Sequence, residues 1–217
     1  MTIARRGLLA GGAVLATLAP AGSGAVAPPA ELRFDVLRNG TRIGQHGIAF
    51  RQDATVLTAS VSVEIVVRLG PIPVFRYTHT VREIWRDGLF HSLDSETNED
   101  GKRFRVTATR AVEGIVVASL AVPRTVLPST AIPLTHWNAL CMERPLFNPQ
   151  DGVPITARIV AHGEDQVALA DGRLVRATRY ALIGTPALED WYDTARLWTA
   201  LRSRGTDGST IEYRRVA

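Results

Sequence analysis

Six Asn-Gly or Asp-Gly pairs punctuate the chain, at Asn39-Gly40, Asp87-Gly88, Asp100-Gly101, Asp151-Gly152, Asp171-Gly172 and Asp207-Gly208, and they limit what it can fold into. Two-residue hairpin turns of the primed types need positive φ at both central residues, which an Asx-Gly pair adopts at little cost. Four of the six lie between segments of alternating apolar and polar residues, so antiparallel hairpins are expected there rather than helical crossovers. From Val56 to Val67 one face reads Leu57, Ala59, Val61, Val63, Ile65, Val67, while the other carries Thr58, Ser60, Ser62 and Glu64. Next, Phe75, Tyr77, His79, Val81, Glu83 and Trp85 share a face opposite Arg76, Thr78, Thr80 and Arg82. Phe104, Val106 and Ala108 then alternate with Arg103, Arg105, Thr107 and Thr109. A period of two with one apolar face marks strands that are buried on one side and wet on the other.

Two of these strands run for about twelve residues, roughly 40 Å at the extended rise. Strands that long twist and coil, so the expected fold is all-β, a single curled antiparallel meander forming a barrel or half-barrel. One region breaks the rhythm. Leu120 to Pro154 holds Pro123, Pro128, Pro133, Pro145, Pro149 and Pro154, half of the chain's 12 prolines. A long irregular stretch inside a domain is usually a lid or plug. Its Trp137, Leu140, Met142, Leu146 and Phe147 suit packing against the sheet, and its one helix signal is Thr135 as a cap ahead of His136–Arg144, a short segment at most.

The N-terminus reads as an address. Arg5-Arg6 precede an apolar run from Leu8 to Ala19, too short to span a bilayer but suited to a signal peptide. A-R-R-G-L-L resembles a twin-arginine export signal, departing from it at Ala4, so general secretory export stays open. The expected organisation is a signal peptide over 1–25, a linker over 26–31 and a single β domain over 32–217, with the product periplasmic or secreted. No later segment approaches eighteen consecutive apolar residues, so no membrane span is expected in the mature chain. The net charge of +4 falls to +2 without Arg5 and Arg6, too weak to indicate nucleic acid. Cys141 stands alone, so no internal disulfide is expected and a packed core must hold the fold.

No catalytic signature stands out. The chain lacks a G-x-S-x-G elbow, a phosphate-binding loop, H-E-x-x-H and C-x-x-C, and its five histidines are dispersed. No cofactor and no metal are implied. His79 and Glu83 interrupt an apolar strand face four residues apart, about 13 Å along the strand, too far to pair directly. They read either as polar anchors in a ligand cavity or as hydrogen-bonded core polars. Thr135-His136-Trp137-Asn138 reads either as a lid that brings a His and a Trp to a pocket or as a Trp that pins the loop. The acidic run Asp94, Glu96, Asn98, Glu99, Asp100 enters a hairpin turn, where a solvated face accounts for it. The candidate ligand-binding residues are therefore Tyr77, His79, Glu83, Trp85, His136 and Trp137.

Two stretches carry a resemblance: Arg76-Tyr77-Thr78-His79 with Glu83 and Trp85, and the closing Trp191-Tyr192-Asp193-Thr194-Ala195-Arg196-Leu197-Trp198 that leads to Asp207-Gly208 and Tyr213-Arg214. Together they resemble an uncharacterised family of exported bacterial β proteins, distantly similar to the periplasmic lipoprotein-carrier half-barrels. That resemblance implies a curved sheet whose apolar concave face shelters an apolar or lipid-like small molecule beneath a lid, here the Pro-rich region. The function expected first is non-enzymatic binding or carriage of such a ligand. An envelope scaffold with a filled core, or an enzyme using His79, Glu83 or His136, are the alternatives.

Overall fold

The computed structural model describes residues 29–217, so the expected export segment lies outside the described residues. Eight strands form a first meander: β1 (Glu31–Arg38), β2 (Thr41–Asp53), β3 (Val56–Leu69), β4 (Ile72–Arg86), β5 (Leu89–Glu99), β6 (Lys102–Ala111), β7 (Gly114–Ser119) and β8 (Thr125–Leu127). Three two-residue strands follow, β9 (Ile132–Pro133), β10 (Leu146–Phe147) and β11 (Pro154–Ile155), with a single 3-10 turn at Ala139–Met142. A second meander closes the chain: β12 (Arg158–Ala168), β13 (Leu174–Ile183), β14 (Leu188–Asp193), β15 (Trp198–Arg204) and β16 (Thr210–Arg215). Among the described residues no helix is long and apolar enough to cross a membrane.

The two meanders make one sheet of 13 strands in the order β12-β13-β14-β15-β16-β1-β2-β3-β4-β5-β6-β7-β8. β16 pairs antiparallel with β1, for example Val36 with Tyr213, and this pairing joins the halves. The order has two ends, so the sheet is curled but not closed. The curl follows from the core. Leu182 of β13 and Val117 of β7 belong to one apolar cluster, yet ten strand spacings, about 48 Å, would separate them in a flat sheet.

Turn chemistry sets the hairpins. Asn39-Gly40, Asp87-Gly88 and Asp100-Gly101 have positive φ at both residues (49° and 80°, 50° and 74°, 48° and 93°), as a primed two-residue loop requires. At Gly152, Gly172 and Gly208 only the glycine enters that region. The alternation becomes register: Leu57 faces Trp85, Val61 faces Val81, Val63 faces His79 and Ile65 faces Tyr77. Direct partners in an antiparallel pair share a face, so these residues line the concave side together. Thr78, Thr80 and Arg82 are exposed on the other side.

The Pro-rich region has a topological task. The chain leaves β8 at one edge of the sheet and must begin β12 at the other, so it crosses the concave face. There β10 pairs with β11 and β9 as a small second sheet. Ala131, Ile132, Leu134, Trp137, Cys141, Leu146 and Phe147 of this crossing segment are buried. The segment acts as a plug. Its 3-10 turn is capped by Asn138, whose side chain accepts from the Leu140 N–H at 3.1 Å, and not by Thr135 as the sequence suggested. The turn begins at Ala139, beyond the reach of a cap at Thr135. Cys141 is buried, with its thiol pushed up to about 12 by loss of solvent, so it behaves as a small core residue.

Candidate functional site

The plug brings two polar groups of residues against the concave face. The first is centred on Glu83, whose side chain is fully buried on β4. Its Oε2 accepts from Trp85 Nε1 at 2.8 Å and its Oε1 from Trp137 Nε1 at 3.3 Å. Thr135 lies alongside with its hydroxyl short of hydrogen-bond geometry. Burial raises the carboxyl to about 7, because lost hydration outweighs the attraction of Thr135 and the two indoles. Trp137 also meets Trp85 and Phe50 edge-on, with ring centroids 5.5 and 5.1 Å apart. Glu83, Trp85 and Trp137 thus form a clasp that pins the plug to β4.

The second group surrounds His136 on the plug. Its Nδ1 lies 2.9 Å from Asp190 Oδ2, and Trp198 Nε1 donates to Asp190 Oδ1 at 2.9 Å. A carboxylate only accepts, so Nδ1 carries the imidazole proton and Nε2 is left as the basic nitrogen. The ring stacks on Trp198 at 5.1 Å with planes 19° apart. Its backbone has a φ of +65°, uncommon for a non-glycine, and the Tyr192 hydroxyl donates to the His136 carbonyl at 2.7 Å. Two contacts therefore hold the imidazole, and a third secures the backbone that carries it.

A cavity of about 190 Å³ adjoins this group, lined on its apolar side by Val61, Val63, Leu134 and Leu201. His46, Tyr77, His79, Thr135, His136 and Tyr213 supply its polar side. His46 is buried edge-on to Trp198 and Tyr213, and neither of its ring nitrogens has a hydrogen-bond partner. Desolvation, then the neighbouring His136 and His79, hold its pKa well below the ordinary value. His79 bonds Thr97 Oγ1 at 2.8 Å and is lowered to about 4 by burial. Both are neutral imidazoles near neutral pH. Among the described residues no group of three His, Cys, Asp or Glu side chains is placed to hold a metal ion. Asp94 and Glu96 pair with Arg105 on the exposed face.

Of the six sequence candidates, Tyr77, His79 and His136 line the cavity, while Glu83, Trp85 and Trp137 form the clasp beside it. Sequence reasoning missed His46, Asp190 and Trp198. For His46 a signal existed, since it shares strand parity with Ile48 and Phe50 and so belongs to the inward face.

These features define a class: an open, β-barrel-like antiparallel sheet with a plug across its concave face. A solved β-barrel-like protein of a domain of unknown function (DUF1849) from Brucella abortus has the same fold, with a TM-score of 0.59 at 11% identity over 86% of this chain and 94% of that one. Residues 34–216 match the model of a domain of unknown function (DUF6134), and the chain belongs to that family. Comparison with curated proteins gave no match.

Proposed function

We propose that this protein is an exported binding protein that takes a small, uncharged, partly apolar ligand in the histidine-lined cavity. The observation that carries the proposal is an unfilled space of about 190 Å³ walled by Val61, Val63, Leu134 and Leu201 together with His46, His79 and His136. A concave, largely apolar lining with a few polar groups is what small-ligand sites share. The chemistry of the wall supports an uncharged ligand, since no Lys or Arg lines it and His46 and His79 are neutral. At about 190 Å³ the space suits a small occupant, since an apolar cavity of roughly 150 Å³ takes a benzene-sized one. The plug fills most of the concave face, so the lipid-like ligand expected from the resemblance narrows to a compact apolar group. Export is supported by Arg5-Arg6 and the apolar run after them.

The test uses 2-naphthol, a neutral two-ring fluorophore. Its emission should shift on binding the folded protein, and Val63→Trp, which fills the cavity from β3, should abolish the shift while leaving the unfolding transition in place. Equal binding by Val63→Trp, or none by the native chain, would refute the cavity as a ligand site.

A further inference from the structure

We propose that the cavity is also a hydrolytic site for small neutral carboxylic esters, with His136 as general base and Asp190 as the residue that positions it. The inference rests on the cavity being a binding site and adds chemistry to it. Asp190 fixes the Nδ1–H tautomer of His136 at 2.9 Å, stacking on Trp198 fixes the ring plane, and the Tyr192 hydroxyl secures a backbone held at φ +65°. Strained backbone that its surroundings over-determine clusters at functional sites. The nitrogen these contacts leave over, Nε2, belongs to a ring that lines the cavity.

Val61, Val63, Leu134 and Leu201 would take a short acyl group. The absence of Lys and Arg from the lining excludes phosphate and carboxylate substrates in favour of an uncharged one. In the reaction, a water oxygen bonds to the ester carbon as its proton passes to His136 Nε2. The carbonyl π pair moves onto the carbonyl oxygen. That pair then reforms C=O, the C–OR bond breaks, and the alkoxide leaves with the proton from Nε2–H. An acid and an alcohol result, and no oxidant or metal is consumed.

Steady-state hydrolysis of phenyl acetate and 4-nitrophenyl acetate tests this. Saturable turnover is expected, with kcat falling about a hundredfold or more in His136→Gln and in Asp190→Asn, as for loss of a general base. KM should stay within about twofold, a split that a structural role would not produce. His162→Gln, at an exposed histidine, should match the native chain. Asp190→Asn weakens the acceptor for Trp198 as well, so His136→Gln, which keeps that bond, decides if the Asn variant unfolds. Equal kcat in His136→Gln and the native chain, or no saturable turnover, overturns the proposal. Displacement of 2-naphthol by phenyl acetate without turnover overturns hydrolysis while leaving binding intact. If 2-naphthol itself does not bind, both fall.

Discussion

Burial strips water from both oxygens of Glu83, and two indole N–H groups replace only part of that solvation, so the carboxyl sits near 7 instead of 4.5. The folded state therefore holds this proton more tightly than the unfolded chain. Its contribution to stability is fully present below pH 4.5 and is lost as pH rises through 7, a swing of about 3 kcal/mol. His79, lowered to about 4, has the opposite sense and loses its contribution as pH falls from 6.5. A single substitution separates the two. Glu83→Gln should gain stability relative to the native chain between pH 5 and 8, whatever its constant offset, because only the native chain must ionise there. Urea unfolding at the two values measures the change, and a pH-independent offset would contradict it. Backbone packing gives a second contrast between residues. A Cβ at Gly44 would lie 2.1 Å from the Glu64 carbonyl oxygen and 2.8 Å from Ile65 Cα, so β2 and β3 would have to part. Gly101 has open space but a φ of +93°. Gly44→Ala should cost at least the 1–3 kcal/mol of core overpacking, and Gly101→Ala only about 1 kcal/mol of strain, in thermal or urea unfolding.

Among the elements, the plug depends on one indole more than on its short strands. Trp137 meets Phe50 and Trp85 and donates to Glu83, joining β2, β4 and the crossing segment. Trp137→Ala should cost about 3–5 kcal/mol, as for a large core aromatic. Trp137→Phe should keep most of the packing but remove a donor, raising Glu83 further, which the pH dependence of its unfolding would reveal. The elements also show how far the sequence could be read. The inward faces of β3 and β4, the primed turns and a packed Pro-rich segment were legible because strand parity and Asx-Gly conformation are local properties. The dyad was not. His136 and Asp190 lie 54 residues apart, and Asp190 sits in Leu-Glu-Asp-Trp-Tyr-Asp, where flanking acids suggest a wet strand. Only the crossing of the plug brings them together. The pairing of β16 with β1 was equally hidden, since no hairpin turn records it.

At the scale of the whole molecule, an open sheet leaves two edges, and unpaired strand edges invite association. β8 is three residues long between Pro123 and Pro128, too short to template a partner. β12 is longer, but its register shifts between Ala161 and Glu164, with Gly163 at φ +83° and Glu164 and Asp165 exposed. A bulge with charges protects such an edge. Deleting Gly163 together with Glu164→Val and Asp165→Val should produce concentration-dependent self-association in size-exclusion chromatography, which the native edge resists. Curling of the same sheet around its plug leaves the histidine cavity as the space in which a ligand can reach His46. The imidazole ¹H–¹⁵N signals of the folded protein, followed during addition of 2-naphthol, test that claim most directly. The account expects the His46 signals to shift and saturate, with those of exposed His162 unmoved and the response absent in Val63→Trp. A saturating response that leaves His46 unchanged, or one that persists in Val63→Trp, would contradict it.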